Sequence, residues 1–301
     1  MKKNLTFLEQ AELLEKRGIK INNLESVSNK LKTISYYKLK EFAEPFNIRK
    51  YGQEPLYENV TFEEILQRYY QDKNLRIYLM HAIEKIEISF KTIIAYNLGK
   101  LGAYGYLDEG SWINRSDFLR NKAAFKNIFE KHSRENFYEV EIDYKKGLYS
   151  RKVPSVWIFI NSLTFGEVVK IYEIMSLKRE REVAKYYKLN KDNLDSFIRA
   201  VKLIRNLCAH NNNIIDFRFK TFPVILNEWK PYIKDFSKND KDGSHLAVVV
   251  LVIKYFVDII NPNYKYRRIK KTIIRIINGS DERARMLGFK NKEIINEIIK
   301  I

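Results

Sequence analysis

Apolar residues return at steps of three and four along almost the whole chain, and hardly any stretch alternates apolar with polar as a half-buried strand does. That pattern predicts an all-α fold. Residues 6–17 read as a short amphipathic helix closed by Gly18, and a second helix follows Asn23. Pro45, Gly52 and Pro55 mark a loop, after which Thr61 and Glu64 form a capping box. The longest periodic segment comes next: Leu75, Leu79, Ile83, Ile86, Phe90, Ile93 and Asn97 step by 4, 4, 3, 4, 3 and 4 until Gly99 ends it. A stripe of this kind faces a core. Further helices are predicted over 118–140, after Pro154 with Trp157 on it, and over 245–260. Another begins at Asp192 as its cap, carries Leu194, Phe197, Ile198, Val201, Ile204 and Cys208 on one face, and stops at Asn211, Asn212 and Asn213. Pro262 precedes a basic tail. The organisation read from this pass is an N-terminal helical segment over 1–58, a helical core over 59–262 and basic C-terminal helices over 263–301.

Composition narrows the class. With 45% hydrophobic and 14% aromatic residues the chain can bury enough surface to offset its conformational entropy, which excludes disorder. One cysteine excludes an intramolecular disulfide, and none of the four histidines stands at zinc-site spacing from Cys208. The basic start is interrupted by Glu9, Glu12 and Glu15, so it does not read as an export signal. The longest apolar run, 246–253, is eight residues against the roughly 20 that a bilayer requires. A soluble, cytoplasmic protein without membrane partner is expected. Fifty-five Lys and Arg against 37 Asp and Glu leave a net charge of +18, which favours a polyanion such as nucleic acid, because cationic side chains displace counterions from phosphates. A lysine-rich coding bias produces the same balance without any ligand.

No glycine-rich phosphate loop, Ser-His-Asp set or paired-carboxylate metal site is present. One stretch stands apart, Arg205-Asn206-Leu207-Cys208-Ala209-His210. Residues five apart lie about 140° apart on an ideal helix, so mid-helix they face different sides. At a helix end the imidazole can turn back toward the guanidinium. Arg and His together suffice to cleave RNA without metal: His moves protons near neutrality, Arg neutralises the scissile phosphate, and the ribose 2′-hydroxyl is the nucleophile. One His leaves the second proton transfer unassigned, a gap that two sites facing each other across a symmetric dimer would fill. The same spacing recurs at Arg76 and His81, within the long helix, where the two point to different sides. Asn206 has either a direct role or a helix-terminal hydrogen bond, and Cys208 follows the apolar face as a core residue. Asp72, Arg76, Glu84 and Glu87 are spaced to pair along the helix, either supporting the site or forming a solvated ion-pair face. Two basic stretches are candidate RNA contacts: Lys145, Lys146, Arg151 and Lys152, and Lys265, Arg267, Arg268, Lys270, Lys271 and Arg275, the latter beside Tyr264 and Tyr266 as possible stacking rings.

The Arg205–His210 stretch resembles the Arg-Asn-x-Cys-Ala-His signature of Abi-like abortive-infection proteins of the AbiD and AbiF type, within the HEPN ribonuclease superfamily. The likeness extends over roughly 5–215. It includes Ile34-Ser35-Tyr36-Tyr37-Lys38-Leu39, then Tyr69, Asp72, Leu75-Arg76 and Ala82-Ile83-Glu84-Lys85-Ile86-Glu87, then Pro154-Ser155-Val156-Trp157 and Leu163-Thr164-Phe165-Gly166. The chain departs from the family pattern at Gln71, where an aromatic is usual, and over 212–216, where an Arg-Leu-Trp run is common. The resemblance implies a HEPN-like helical bundle and a metal-independent endoribonuclease with Arg205, His210 and Asn206 catalytic and no cofactor. It also implies a toxin role in anti-phage defence, a homodimer, and RNA as substrate and as a bound structured noncoding partner. The reading from another class is a non-catalytic helical RNA-binding or scaffold protein in which the Arg-His pair is structural.

Overall fold

The computed structural model describes residues 4–50, 52–132, 153–218, 223–234 and 246–299. The fold is all-α: among the described residues the extended pairings are isolated bridges, such as that between Lys20 and Thr61. The helices are α1 (Phe7–Lys16), α2 (Leu24–Leu31), α3 (Tyr36–Ala43), α4 (Phe62–Gly99), α5 (Phe118–His132), α6 (Val156–Ser162), α7 (Phe165–Glu173), α8 (Leu177–Tyr186), α9 (Lys191–Ala209), α10 (Leu246–Ile260), α11 (Arg267–Ile277), α12 (Asp281–Met286) and α13 (Ile294–Ile298). Among the described residues no helix is long and apolar enough to cross a membrane.

α4 is the mast of the molecule. Thr61 caps it by accepting from the Glu64 N–H while the Glu64 carboxylate accepts from the Thr61 N–H, which satisfies two of the end's orphan donors. Its 38 residues run about 57 Å, longer than one small core can cover, and its two ends serve two apolar clusters. The N-terminal cluster gathers Ala11, Leu14, Val27, Leu31, Leu39 and Phe42 from α1–α3 against Phe62 and Ile65 of α4. The larger cluster takes the remaining stripe, Leu75 through Leu98, and packs it under α6, α7, α9, α10 and α11. Truncating one of those fully buried side chains, Leu79 for example, is expected to cost about 2–5 kcal/mol. The C-terminal helices contribute Ile269, Ile273, Ile276 and Ile295 to this same cluster.

Two glycines are demanded by close approach. Gly18 sits at φ +93°, and a Cβ there would lie 2.2 Å from the Tyr57 carbonyl oxygen. Gly99 lies under the Trp157 ring, where a Cβ would meet indole atoms at 3.2 Å. Local starts differ from the sequence reading in one place. α9 is capped by Asn190, whose side chain accepts from the Asn193 N–H; Asp192 falls instead in the first turn, where its charge favours the helix N-terminus. The predicted helix over 118–140 is described as far as His132, and His245, the predicted start of α10, lies outside the described residues.

Candidate active site at the end of α9

α9 lies along α4 with Leu194, Phe197, Ile198, Val201, Ile204 and Cys208 turned inward. Its end is a double hydrogen-bonded stop. His210 is the cap residue, Asn211 takes the left-handed conformation at φ +59°, and the N–H groups of Asn211 and Asn212 donate to the Cys208 and Leu207 carbonyls. This is the Schellman arrangement, with asparagine where glycine is usual, because its short polar side chain tolerates a positive φ. The helix therefore ends where the three asparagines predicted, and His210, in the turn that closes it, is exposed at the rim.

α4 clasps the chain beyond His210 with three side chains one turn apart. Arg68 bonds both carboxylate oxygens of Asp216, at 2.7 and 2.9 Å. Asp72, completely buried, accepts from the Ile214 N–H at 2.8 Å, the Ile215 N–H at 3.1 Å and the Arg76 guanidinium at 2.7 Å. Arg76 then donates to the Asn211 side-chain oxygen at 2.7 Å. Burial pushes the Asp72 carboxyl above its usual range, and the Ile214 N–H and Arg76 guanidinium oppose that rise. Removing either member of such a buried pair strands the other's charge. Arg68, Asn211 and Asp216 were missed in the sequence. The signal was present in part: Arg68, Asp72 and Arg76 stand at i, i+4 and i+8 on the face of α4 that the apolar stripe marks as inward.

Arg205 sits one and a half turns before the stop, with its side chain 31% exposed. Its Nε lies 3.5 Å from a Glu87 carboxylate oxygen on α4, in ion-pair range without hydrogen-bond geometry. A terminal nitrogen reaches the Asn206 side-chain oxygen at 3.4 Å. Glu87 also pairs with Lys91 at 3.4 Å. Asn206 is exposed, as is His210, so guanidinium, amide and imidazole all reach solvent on this end of α9. Cys208 is buried and its thiol is pushed up to about 12 by burial, which keeps it protonated and a core residue. Of the four residues spaced to pair along α4, Asp72, Arg76 and Glu87 contact α9 or the chain after it; Glu84 is exposed and lines a recess with His81 and Glu87.

A model of the Abi-like protein family matches residues 29–216, a span that takes in α3, α4, α9 and every contact of this clasp. The chain belongs to the Abi-like family. Membership associates it with abortive infection. No curated protein and no solved structure matches it.

Elsewhere the basic residues divide. Lys145, Lys146, Arg151 and Lys152 lie outside the described residues. On α11, Arg267, Arg268, Lys271 and Arg275 are exposed, as is Lys265 ahead of it, with Arg268 above the Tyr78 ring at 5.7 Å. Lys270 is buried, because it follows Ile269 onto the face that packs on the core. Tyr266 is not a free stacking ring either: it is buried, and its hydroxyl donates to Asp258 at 2.8 Å. Tyr264 is half-buried with its hydroxyl 2.9 Å from His81 Nδ1. The basic strip is thus a one-sided edge of α11 rather than a stretch of interleaved stacking residues.

Proposed function

We propose that this Abi-like chain is a metal-independent endoribonuclease of the HEPN type, acting in abortive infection through Arg205 and His210. The supporting observation is that the Arg-x4-His pair straddles a helix stop and leaves both side chains open to solvent, on a backbone that α4 holds through Asp72 and Arg76. In the reaction the 2′-oxygen of ribose forms a bond to phosphorus and the bond to the 5′-oxygen breaks. The products are a 2′,3′-cyclic phosphate and a free 5′-hydroxyl. One imidazole accepts the 2′-hydroxyl proton and a second, from a twin chain, gives a proton to the departing 5′-oxygen. Arg205, with its Nε edge toward Glu87, offers its terminal nitrogens to the phosphate as charge builds there. The exposed cations of α11 add sequence-independent attraction for the RNA backbone, including that of a bound noncoding RNA.

Purified protein incubated with mixed RNA in EDTA is expected to yield fragments ending in 2′,3′-cyclic phosphate, and His210→Ala to yield none. Cutting that persists in the variant overturns the assignment. One observation favours a second reading, a non-catalytic RNA-binding protein: Arg205 already has a carboxylate beside it in Glu87. Under that reading the protein carries a discrete RNA through purification and degrades nothing at any concentration.

A further inference from the structure

Next to the α9 stop, between α3 and residues 212–218, lies an open groove of about 760 Å³. Its walls include Tyr37, Lys40, Glu44, Asn212, Asn213 and Arg218. Asn212 is two residues past His210, so its Cα is at most about 7.6 Å from that of His210. The groove therefore adjoins the proposed site of cleavage. It also lies where the two apolar clusters meet, since α3 belongs to the N-terminal cluster while Ile214 and Ile215 belong to the main one.

The lining has the chemistry of a nucleobase site rather than of a phosphate track. Tyr37 is 71% exposed, among the most exposed large hydrophobic side chains of the described residues. Its ring is held edge-on against buried Tyr36 at 5.4 Å and 88°, and Tyr36 is itself anchored by Arg17. The face of Tyr37 is thus presented, not folded away, and a base can stack on it. Asn212 brings a side-chain amide, and Glu44 a carboxylate that accepts from Asn47 through one oxygen and keeps the other, groups that match the donors and acceptors on a base edge; the Asn213 amide is spent on Asp216, donating to its carboxylate at 2.8 Å and accepting from its N–H at 3.1 Å. Charge is nearly balanced. Lys40 and Arg218 face Glu41, Glu44 and Asp216, and two of those acids are already engaged, Glu41 by Lys38 and Asp216 by Arg68. In a chain of net charge +18 this is a locally neutral, polar, aromatic-walled recess, a poor trap for phosphate and a good one for an uncharged ring.

We propose that this groove binds one unpaired base of single-stranded RNA, stacked on Tyr37 and read by Asn212 and Glu44, immediately beside the phosphodiester that Arg205 and His210 would act on. The proposal rests on the nuclease reading for its relation to the scissile bond, but base binding stands or falls by itself. Short 2′-O-methyl single-stranded RNAs, which cannot be cleaved, are titrated against the full chain by fluorescence anisotropy, using the four homopolymers and an abasic strand. The full chain is expected to prefer one base and to bind the abasic strand more weakly. Tyr37→Ala should weaken binding about tenfold and erase the preference, and Tyr37→Phe should restore both. A 4-thiouridine strand should cross-link to the peptide bearing Tyr37 or to that bearing Asn212. Affinity and preference unchanged in Tyr37→Ala, or cross-links confined to 264–275, overturn the groove, as would occupancy of this face by a protein partner with RNA binding unaffected. If unmodified RNA is never cut while Tyr37-dependent binding persists, the nuclease reading fails and the groove survives; if RNA is cut with equal rate and base preference in Tyr37→Ala, the reverse holds.

Discussion

Two Arg-x4-His pairs occupy this molecule, and they share nothing but their spacing. In the middle of α4, Arg76 is buried between Asp72 and Asn211, while His81 emerges on the opposite side against Tyr264. At the end of α9, Arg205 and His210 both meet solvent, because the helix stops under the histidine. A five-residue interval carries two side chains about 140° apart on continuous helix, and only a terminus releases them from that geometry. Arg76 is nevertheless tied to the exposed pair. Arg76 holds Asn211, and Asp72 holds the N–H groups of Ile214 and Ile215, so the buried Asp72–Arg76 ion pair fixes the chain that follows His210.

The contrast can be broken in several ways. The largest expected effect is on catalysis: His210→Ala should lower RNA cleavage by about 10²–10⁴-fold, whereas His81→Ala should leave it within about twofold. Equal losses from the two histidines, measured as cleavage rate on one substrate, would erase the distinction drawn between them. Next is stability. Asp72→Ala strands the Arg76 guanidinium and is expected to cost about 3–5 kcal/mol in denaturant unfolding, with a smaller loss when Arg76→Met is added in the same chain. A double variant as unstable as the sum of its parts would show that the two residues are not a unit.

Asn211 separates backbone from side chain. At φ +59° an alanine is strained by about 1–2 kcal/mol and also leaves Arg76 short of an acceptor. Glycine suffers only the second loss, so Asn211→Gly should unfold later than Asn211→Ala. The reverse order would mean that the left-handed conformation at this position does not limit stability. The smallest effect is expected at Glu87. Its ion pair with Arg205 is partly exposed, so Glu87→Gln should change stability by no more than about 1 kcal/mol. Cleavage should fall severalfold through KM for RNA, since the guanidinium loses its orienting neighbour; a rise in rate would identify Glu87 as a restraint on Arg205 instead.

Much of this arrangement was legible residue by residue. The capping box at Thr61, the apolar stripe of α4 and the stop at Asn211 are local, and a window of a few residues contains everything that decides them. The pairing of Asp72 with Arg76 was legible for the same reason, being one turn of one helix. Its use was not. That Asp72 also accepts from Ile214 and Ile215, 142 and 143 residues away, depends on how α9 lies on α4. Counting cations in the basic tail also hid that Lys270 and Tyr266 turn inward, although both stand at i, i+3 and i+4 spacing with the buried Ile269, Ile273 and Ile277 of α11.

By itself, then, the amino-acid order determined the helical class, where most helices begin and end, and the Arg-Asn-x-Cys-Ala-His stretch on which the proposed function rests, since periodicity, caps and side-chain type act over a turn or two. The tertiary structure alone decided that Arg76 is spent on support while Arg205 reaches solvent, and that a tyrosine-walled groove adjoins the end of α9. Those outcomes require two distant segments to be brought within hydrogen-bonding reach, and spacing along a chain carries no information about that distance.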